Sequence, residues 1–483
     1  MLLLGLDLGT QSLKAIVCDE ALTVLGRCAI AYTTLHPEPG HVEQDPGAWE
    51  AALAPAIAGA LAAARAEPAD LAAIAIAGQL DGCIGVDASG APVGAALIWQ
   101  DRRATVQAGR VDAGDVFART GQVADPSHMA PKIAWLREHG SPAVRFHQPV
   151  SYLVERLTGV AVLDPSLAST TMLFELATAC WSQPLLDAFA ISLAELPGLR
   201  ETCAVAGTLT PAGARLTGLC AGTRVAVGTG DDFANALGAG ITTPGSIVCA
   251  VGTAEVVGAV AHGIVLDRVA AEPMVETHVF PGGGFFVEHP GWLAGGAIRW
   301  AVELLGLAGD AELDAIAATV PAGAEGVTFL PALGGGMTPV WRPDARATLH
   351  GLTARHTRAH VARAVLEGLT FACRDVVDRL ITLGLPAHEV VLVGGGARSR
   401  VWAQLRADTL GIAHRIGADP DACPLGAAMI AAVAAGVYPD LASAAVRVPL
   451  PVETFVPGPR DALDEAYCRY EALGTRLRDP AAR

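Results

Sequence analysis

Lysine is almost missing from this chain: of its 33 basic residues only two, Lys14 and Lys132, are lysines. Acidic residues number 49, so the formal net charge is −16 and the pI is near 5.2. There is no broad positive field for a nucleic-acid backbone or an anionic membrane, and neither is expected as a partner. An anionic ligand must then be held by local donors and a metal. The ten cysteines contain no Cys-x-x-Cys pair. Zinc-ligand spacing is absent, and scattered thiols fit a reducing cytoplasm better than a disulfide framework. The apolar start, residues 1–6, lacks a basic leader and is interrupted by Asp7, so it does not read as a secretory signal. No Gly-x-Gly-x-x-Gly follows the first apolar run, which argues against a two-domain dehydrogenase.

What the chain does have is apolar mass. Apolar residues make up 52% and charged residues 17%, as in a globular protein with large buried cores. A length of 483 residues exceeds one core and predicts two or three domains. Two long uncharged stretches, 233–254 and 422–439, are rich in glycine, proline or small residues. They read as buried segments of an α/β protein rather than membrane spans.

The chain also repeats a plan. Gly5-Leu6-Asp7-Leu8-Gly9-Thr10-Gln11-Ser12-Leu13-Lys14 is an apolar run, a Gly-Thr turn and a second apolar run. Val248-Cys249-Ala250-Val251-Gly252-Thr253-Ala254-Glu255-Val256-Val257 does the same about half a chain later. Each copy predicts strand, tight turn, strand. A Gly-Thr turn gathers backbone N–H groups and a hydroxyl, a nest suited to phosphate. Two such turns imply two related domains holding one nucleotide between them.

The flanking pattern supports the duplication. Strands are predicted at 2–8, 13–19 and 24–32, a helix at 46–64 behind the Asp45-Pro46 entry, and strands at 71–77 and 224–227. In the second half strands are predicted at 246–250, 255–260 and 284–288, helices at 294–305 and 358–383, strands at 389–393 and 413–416, and a helix at 425–434. The long helix shows Val361, Val365, Leu369, Ala372, Val376 and Leu380 at three- and four-residue steps, one buried face. The boundary is placed near Gly240, giving domains 1–240 and 241–483. An amphipathic tail helix, 462–477, is free to pack on either domain, the first included.

Several residues carry candidate chemistry. Asp7 ends a strand just before Gly9-Thr10, where a carboxylate can hold Mg²⁺ beside phosphates; a turn-capping role is the alternative. Lys14 stands four residues after Thr10 and can place an ammonium over the same phosphate. Asp231 follows Gly228-Thr229-Gly230 at a strand's carboxyl end, where α/β sites form. It is a candidate general base for a substrate hydroxyl attacking phosphorus; an N-cap for the next helix is the alternative. Gly394-Gly395-Gly396-Ala397 lies between a strand and a helix, and its glycines permit close approach of a nucleotide, but glycine triplets recur at 282–284 and 334–336 and by itself this one reads better as an ordinary loop.

The motif set resembles the FGGY family of carbohydrate kinases, members of the actin-like ATPase superfamily. The most specific piece is Ala347-Thr348-Leu349-His350-Gly351-Leu352, seven residues, then His360-Val361-Ala362-Arg363-Ala364-Val365-Leu366-Glu367. Ala130-Pro131-Lys132-Ile133-Ala134-Trp135-Leu136 resembles the first family signature, with Met129 where Pro, Ser or Thr is usual. The resemblance implies two ribonuclease-H-like α/β domains with an active-site cleft between them. It further implies Asp231 as catalytic base and Asp7 as metal ligand. ATP is implied at Thr10, Gln11, Ser12, Lys14, Gly252, Thr253, Gly394, Gly395, Gly396 and Ala397. The acceptor is implied at Gln79, Leu80, Asp81, Trp99 and Asp232. ATP and Mg²⁺ are the expected cofactors, a small sugar the partner, and a cytoplasmic enzyme, a homodimer among the options, the expected form.

Within the family the xylulose kinases give the nearest pattern, so D-xylulose is the expected acceptor. Two departures stand out. The usual Gly-Gln-Met-His-Gly is here Gly78-Gln79-Leu80-Asp81-Gly82, and the Asn expected after the base is Asp232. An ionised carboxylate accepts hydrogen bonds from hydroxyls but offers none to a carbonyl. Gly-Gln-x-Asp-Gly is also similar to erythritol-type polyol kinases, so a polyol is the alternative acceptor. A non-catalytic actin-like switch is a third reading, against which Gln79, Trp99 and Asp231 argue.

Overall fold

The computed structural model describes every residue except 343, 418, 420, 450–452 and 479–483. Each half of the chain builds one seven-stranded mixed sheet. In the first, β1 (Leu2–Leu8) pairs antiparallel with β2 (Ser12–Cys18), which pairs with β3 (Val24–Ala31). On its other side β1 runs parallel to β4 (Leu71–Gly78), and β5 (Val205–Thr208) and β6 (Arg224–Ala226) complete the order β5-β6-β4-β1-β2-β3. The short strand Thr229–Gly230 extends β4 at Ala77 and Gly78.

The second sheet repeats the scheme. Its strands are β7 (Gly245–Val251), β8 (Ala254–Ala261), β9 (Glu276–Val279), β10 (Phe285–Leu293), β11 (Ala387–Val393), β12 (His414–Ile416) and β13 (Glu453–Phe455). The order is β9-β10-β8-β7-β11-β12-β13. In both sheets two strands joined by a Gly-Thr turn form the centre, and the strand beyond is parallel.

Helix α1 (Pro46–Ala64) forms where the sequence predicts it: Asp45 accepts from Gly47 N at 2.8 Å and Pro46 opens the first turn. It is long and apolar enough to cross a membrane, yet Trp49, Leu53, Ala56, Ile57 and Ala60 are buried in the first domain's core. The other helices that matter are α2 (Asp231–Gly238), α3 (Gly295–Leu304), α4 (Arg358–Thr382), α5 (Ala422–Ala435) and α6 (Asp461–Arg478). On α4 the predicted face is buried from Val365 to Leu380, while Val361 stays half-buried. The tail helix α6 lies on the second half: Tyr467 and Tyr470 ring Phe371 at 5.6 and 5.4 Å, and Asp464 meets Arg374 at 2.7 Å.

A third core lies between the sheets. Helix α5, from the second half of the sequence, packs on β1, β4 and α2 of the first. Glycine makes this close approach possible. A Cβ at Gly5 would stand 2.0 Å from Pro424 O, and one at Gly426 would stand 2.1 Å from Ala234 O. The two uncharged stretches are thus largely buried over their helices and strand but not at their ends: 233–254 runs through α2 and β7 to the exposed turn at Gly252 and Thr253, and 422–439 runs through α5 to an exposed Gly436.

Candidate active site

Both Gly-Thr turns close as tight backbone loops. Gly9 N donates to Ser12 O at 3.1 Å, and Gly252 N to Ala254 O at 2.8 Å. Thr10 is held from several sides: Trp99 Nε1 donates to its hydroxyl at 3.0 Å, and Gln44 Nε2 to its carbonyl at 2.6 Å. Trp99 is therefore a half-buried brace of the turn that also packs against the first domain's core. Gln11 reaches across to the other domain, where its Nε2 donates to Thr253 Oγ1 at 3.1 Å. Ser12 begins β2 and supplies the carbonyl that closes the first turn.

Thr253 has a second donor that sequence reasoning missed. Arg299 Nη2 donates to its hydroxyl at 3.2 Å. Arg299 is exposed on α3, whose start is pinned to the turn by Gly296 N donating to Thr253 O at 3.0 Å. Among the described residues it faces no carboxylate within ion-pair distance. No local motif marks it; only the docking of α3 brings it to the turn.

Asp7 and Lys14 are cross-strand partners on β1 and β2. Lys14 Nζ lies 3.3 Å from Asp7 Oδ2 and 3.5 Å from Asp421 Oδ1. Lys14 is thus shared between carboxylates from both halves of the chain instead of standing over the turn alone. Arg27 extends the network to Asp419 at 2.6 Å and Asp421 at 2.9 Å. Burial raises the Asp7 carboxyl above the ordinary aspartate range, and the Lys14 charge offsets part of that rise. For Lys14 burial works downward, but Asp7 and Asp421 outweigh it and hold the ammonium charged.

Asp231 is the first residue of α2, fed by Gly228 in the left-handed region (φ 82°) and by the short strand on β4. An acid there is favoured by the helix dipole. Burial dominates nonetheless and pushes the carboxyl well up, helped by its neighbours Asp232 and Asp7. Asp232 is raised too, by burial and then by Glu288 and Asp81. Five carboxylates, Asp7, Asp81, Asp231, Asp232 and Glu288, gather here; Lys14 and His128 face Asp7 and Asp81, whereas Asp231 and Asp232 have no cation within ion-pair distance among the described residues. That is the electrostatic signature of a site completed by cations.

The acceptor side is built from the end of β4. Gln79 is buried; its Nε2 donates to Gln44 Oε1 at 2.9 Å, and its Oε1 has no partner among the described residues. Leu80 packs on Gly230, where a Cβ would lie 2.0 Å from Leu80 Cδ2. Leu80 is therefore a packing residue of the apolar cores. Asp81 sits in the left-handed region (φ 57°) and its Oδ1 lies 3.2 Å from His128 Nδ1. Lys132 Nζ donates to the carbonyls of Asp81 and Ile98 at 2.8 Å each, and to that of Ser127. It fastens the three loops around the site, and burial pulls its pKa down to about 8.

His128 was missed by the sequence reading, although it adjoins the first signature. Burial disfavours its cation, but Asp81 and Glu276 prevail and hold its pKa well above normal. Gln44, Glu276, His278 and Glu288 were missed as well. Strand β9, which carries two of them, has no predicted counterpart in the sequence.

The glycine loop backs onto the second turn. A Cβ at Gly394 (φ 85°) would stand 2.7 Å from Val251 O, and one at Gly396 would stand 2.3 Å from Val251 Cγ1. Gly395 is open and exposed, whereas Ala397 turns its methyl into the core.

The chain belongs to the FGGY family of carbohydrate kinases: the family's N-terminal domain matches residues 2–238 and its C-terminal domain residues 247–435. The fold is that of the FGGY sugar kinases, an actin-like ATPase fold. The chain is 33% identical to a xylulose kinase of Escherichia coli K12, covering 92% of this chain and 93% of that one. It is 32% identical to a glycerol kinase of Gloeobacter violaceus, covering 96% and 94%. A solved xyloylose kinase from Brucella ovis superposes with a TM-score of 0.90 at 30% identity, covering 99% of each chain. Xylulose and glycerol kinases thus stand at nearly the same distance, and the family is fixed more firmly than the acceptor.

Proposed function

We propose that this protein transfers the γ-phosphate of ATP to a terminal hydroxyl of a small uncharged sugar, with Asp231 as the base. The observation that carries the reading is Asp231 itself: a half-buried carboxylate at a helix start that feels the charge of Asp7 at the first Gly-Thr turn. The second turn is tied to the first by Gln11 and Thr253. The first domain, 1–240, presents acceptor and base; the second, 241–483, presents the nucleotide.

In this reading the triphosphate lies against Thr10, Gln11 and Ser12 on one side and Gly252 and Thr253 on the other. The adenosine end lies along Gly394–Gly396. Asp231 takes the proton of the terminal hydroxyl as its oxygen attacks the γ-phosphorus; the bond to the ADP oxygen breaks and ADP leaves. The raised pKa makes Asp231 a stronger base than a solvated aspartate. General-base help of this kind is worth ~10²–10⁴ in rate, and positioning and charge neutralisation supply the rest. The clustered carboxylates fit a divalent cation: Asp7 would hold Mg²⁺, which when bound neutralises phosphate charge. Closure of the domains keeps water from the γ-phosphate.

D-xylulose, giving D-xylulose 5-phosphate, is the acceptor that the motif set supports. A polyol such as erythritol or a pentitol is the second reading, supported by Asp81 and Asp232 as carboxylates on the acceptor side. A coupled ADP-release assay over ketopentoses, tetritols, pentitols and glycerol tests both. Turnover that no acceptor accelerates, or an Asp231→Ala variant with near-normal rate, would defeat the proposal.

A further inference from the structure

The acceptor side has an uneven supply of hydrogen-bonding groups. Its donors are engaged within the protein: Gln79 Nε2 on Gln44, Trp99 Nε1 on Thr10, and Lys132 Nζ on backbone carbonyls. Buried acceptor atoms are left over, Gln122 Oε1 beside His278 and two more. One is Gln79 Oε1, and the other is Glu288 Oε2, on a side chain 1% exposed and without a partner among the described residues.

Glu288 comes from β10, in the second domain, yet it faces the first. Its neighbour Phe286 meets Phe233, two residues after the base, edge to face at 5.8 Å. His278, across from Phe286 on β9, lies 5.6 Å from Phe233 and sits with Nε2 3.1 Å from Glu288 Oε1. The orientation is fixed from behind. Gln122 of the first domain contacts His278 Nδ1 at 3.1 Å with its amide nitrogen, a group that can only donate. His278 Nδ1 is then the acceptor and its proton is on Nε2, toward Glu288. Oε1 is occupied and Oε2 is directed to other company. The charge of Glu288 is felt at Asp232, and Glu288 in turn feels those of Glu276, Asp231 and Asp81.

A buried acceptor atom without a donor costs free energy unless a ligand supplies one. We propose that Glu288 is an acceptor-binding residue supplied by the nucleotide domain, its Oε2 receiving a hydrogen bond from a hydroxyl of the bound sugar. The substrate class it selects is an uncharged polyhydroxy compound: each hydroxyl donates, whereas a carboxylated sugar would bring a further negative charge against Asp81, Asp232 and Glu288. Because Glu288 and Asp231 lie in different domains, the contact also couples acceptor binding to domain closure. The inference rests on the kinase reading above.

The test is steady-state kinetics of Glu288→Gln, with ATP and acceptor varied separately, and nucleotide affinity measured by calorimetry. The amide keeps the shape but replaces one oxygen by a donor. The expected result is an acceptor KM raised tenfold or more with the ATP KM and nucleotide affinity within twofold. A sugar acid should gain on the neutral acceptor by the same variant. Glu288→Asp, shorter by one methylene, provides a second variant should the amide fold poorly, and the same split is expected. Unchanged acceptor KM in a variant that binds nucleotide normally overturns the assignment. A wild-type protein that binds nucleotide but phosphorylates no acceptor overturns the kinase reading itself, and this inference falls with it.

Discussion

Gln11 and Thr253 stand 242 positions apart in sequence, and the side-chain amide of one donates to the hydroxyl of the other at 3.1 Å. The first Gly-Thr turn is thereby coupled to the second through a single hydrogen bond between domains. Thr253 also accepts from Arg299, so its own hydroxyl proton is free to point to a phosphate oxygen. Thr253→Ala is expected to raise the ATP KM about tenfold, the cost of losing a hydrogen bond to a charged group, with the acceptor KM little changed. Gln11→Leu should move the same parameter less, because Arg299 remains. Initial-rate kinetics with ATP varied check both.

Arg299 carries a separate prediction. It is an exposed cation at the second turn, with no carboxylate within ion-pair distance among the described residues. Arg299→Gln should weaken nucleotide binding by on the order of tenfold. It should also flatten the dependence of ATP KM on salt, since exposed charges are screened. A variant with unchanged ATP KM at low salt would refute the contact.

Asp231 must be ionised to accept a proton, and burial followed by its acidic neighbours raises its pKa well above that of an ordinary aspartate. The acid limb of kcat/KM for the acceptor should therefore lie above the ordinary aspartate range, with unit slope. Asp231→Asn should lose ~10²–10⁴ in rate and retain no such limb.

The same residue bears on stability, with the opposite sign. A carboxyl whose folded pKa is raised binds its proton more tightly when folded. Its contribution is full below the unfolded pKa and is lost as pH rises through the folded one. Above their folded pKa values the ionised Asp231 and Asp232 thus destabilise the fold. Asp231→Asn, and separately Asp232→Asn, should raise the melting temperature measured at neutral pH, and the gain should vanish in acid.

Below the second turn, Arg406 and Glu255 form a buried pair with two contacts, 2.5 and 2.6 Å, both side chains almost fully buried. Cys249 and Cys373 lie against the same carboxylate. The arginine already claims both carboxylate oxygens, so the group reads as a structural ion pair rather than a metal site. Arg406→Met alone should destabilise by about 3–5 kcal/mol by stranding a buried charge. Pairing it with Glu255→Leu should recover much of the loss. Urea unfolding followed by fluorescence of the tryptophans measures both.

Much of the fold was legible before any coordinates. Helix α1 and strand β1 fall where Asp45-Pro46 and the apolar run place them, because caps and hydrophobic periodicity are local signals. The third strand of the second half was too short: 284–288 was expected, and β10 runs to Leu293, through His289, Pro290 and Gly291, which read as a stop. Strand β9 was not expected at all. Met274 to His278 mixes one acid, a threonine and a histidine with two apolar residues, a pattern that looks solvated until the first domain covers it. For the same reason Glu276, His278 and Glu288 were invisible as site residues.

The sequence by itself determined the duplicated strand–turn–strand plan, the family and the positions of its glycine turns, because backbone geometry and local hydrogen bonding are written in neighbouring residues. Only the tertiary structure decided that Lys14 is shared between Asp7 and Asp421, that Ala397 faces the core, that Arg299 meets Thr253 and His128 meets Asp81, and that Glu288 lies within electrostatic reach of Asp231. Those contacts join residues tens to hundreds of positions apart. Docking of the two domains around α2 and α5 sets their distances, and with them burial and charge.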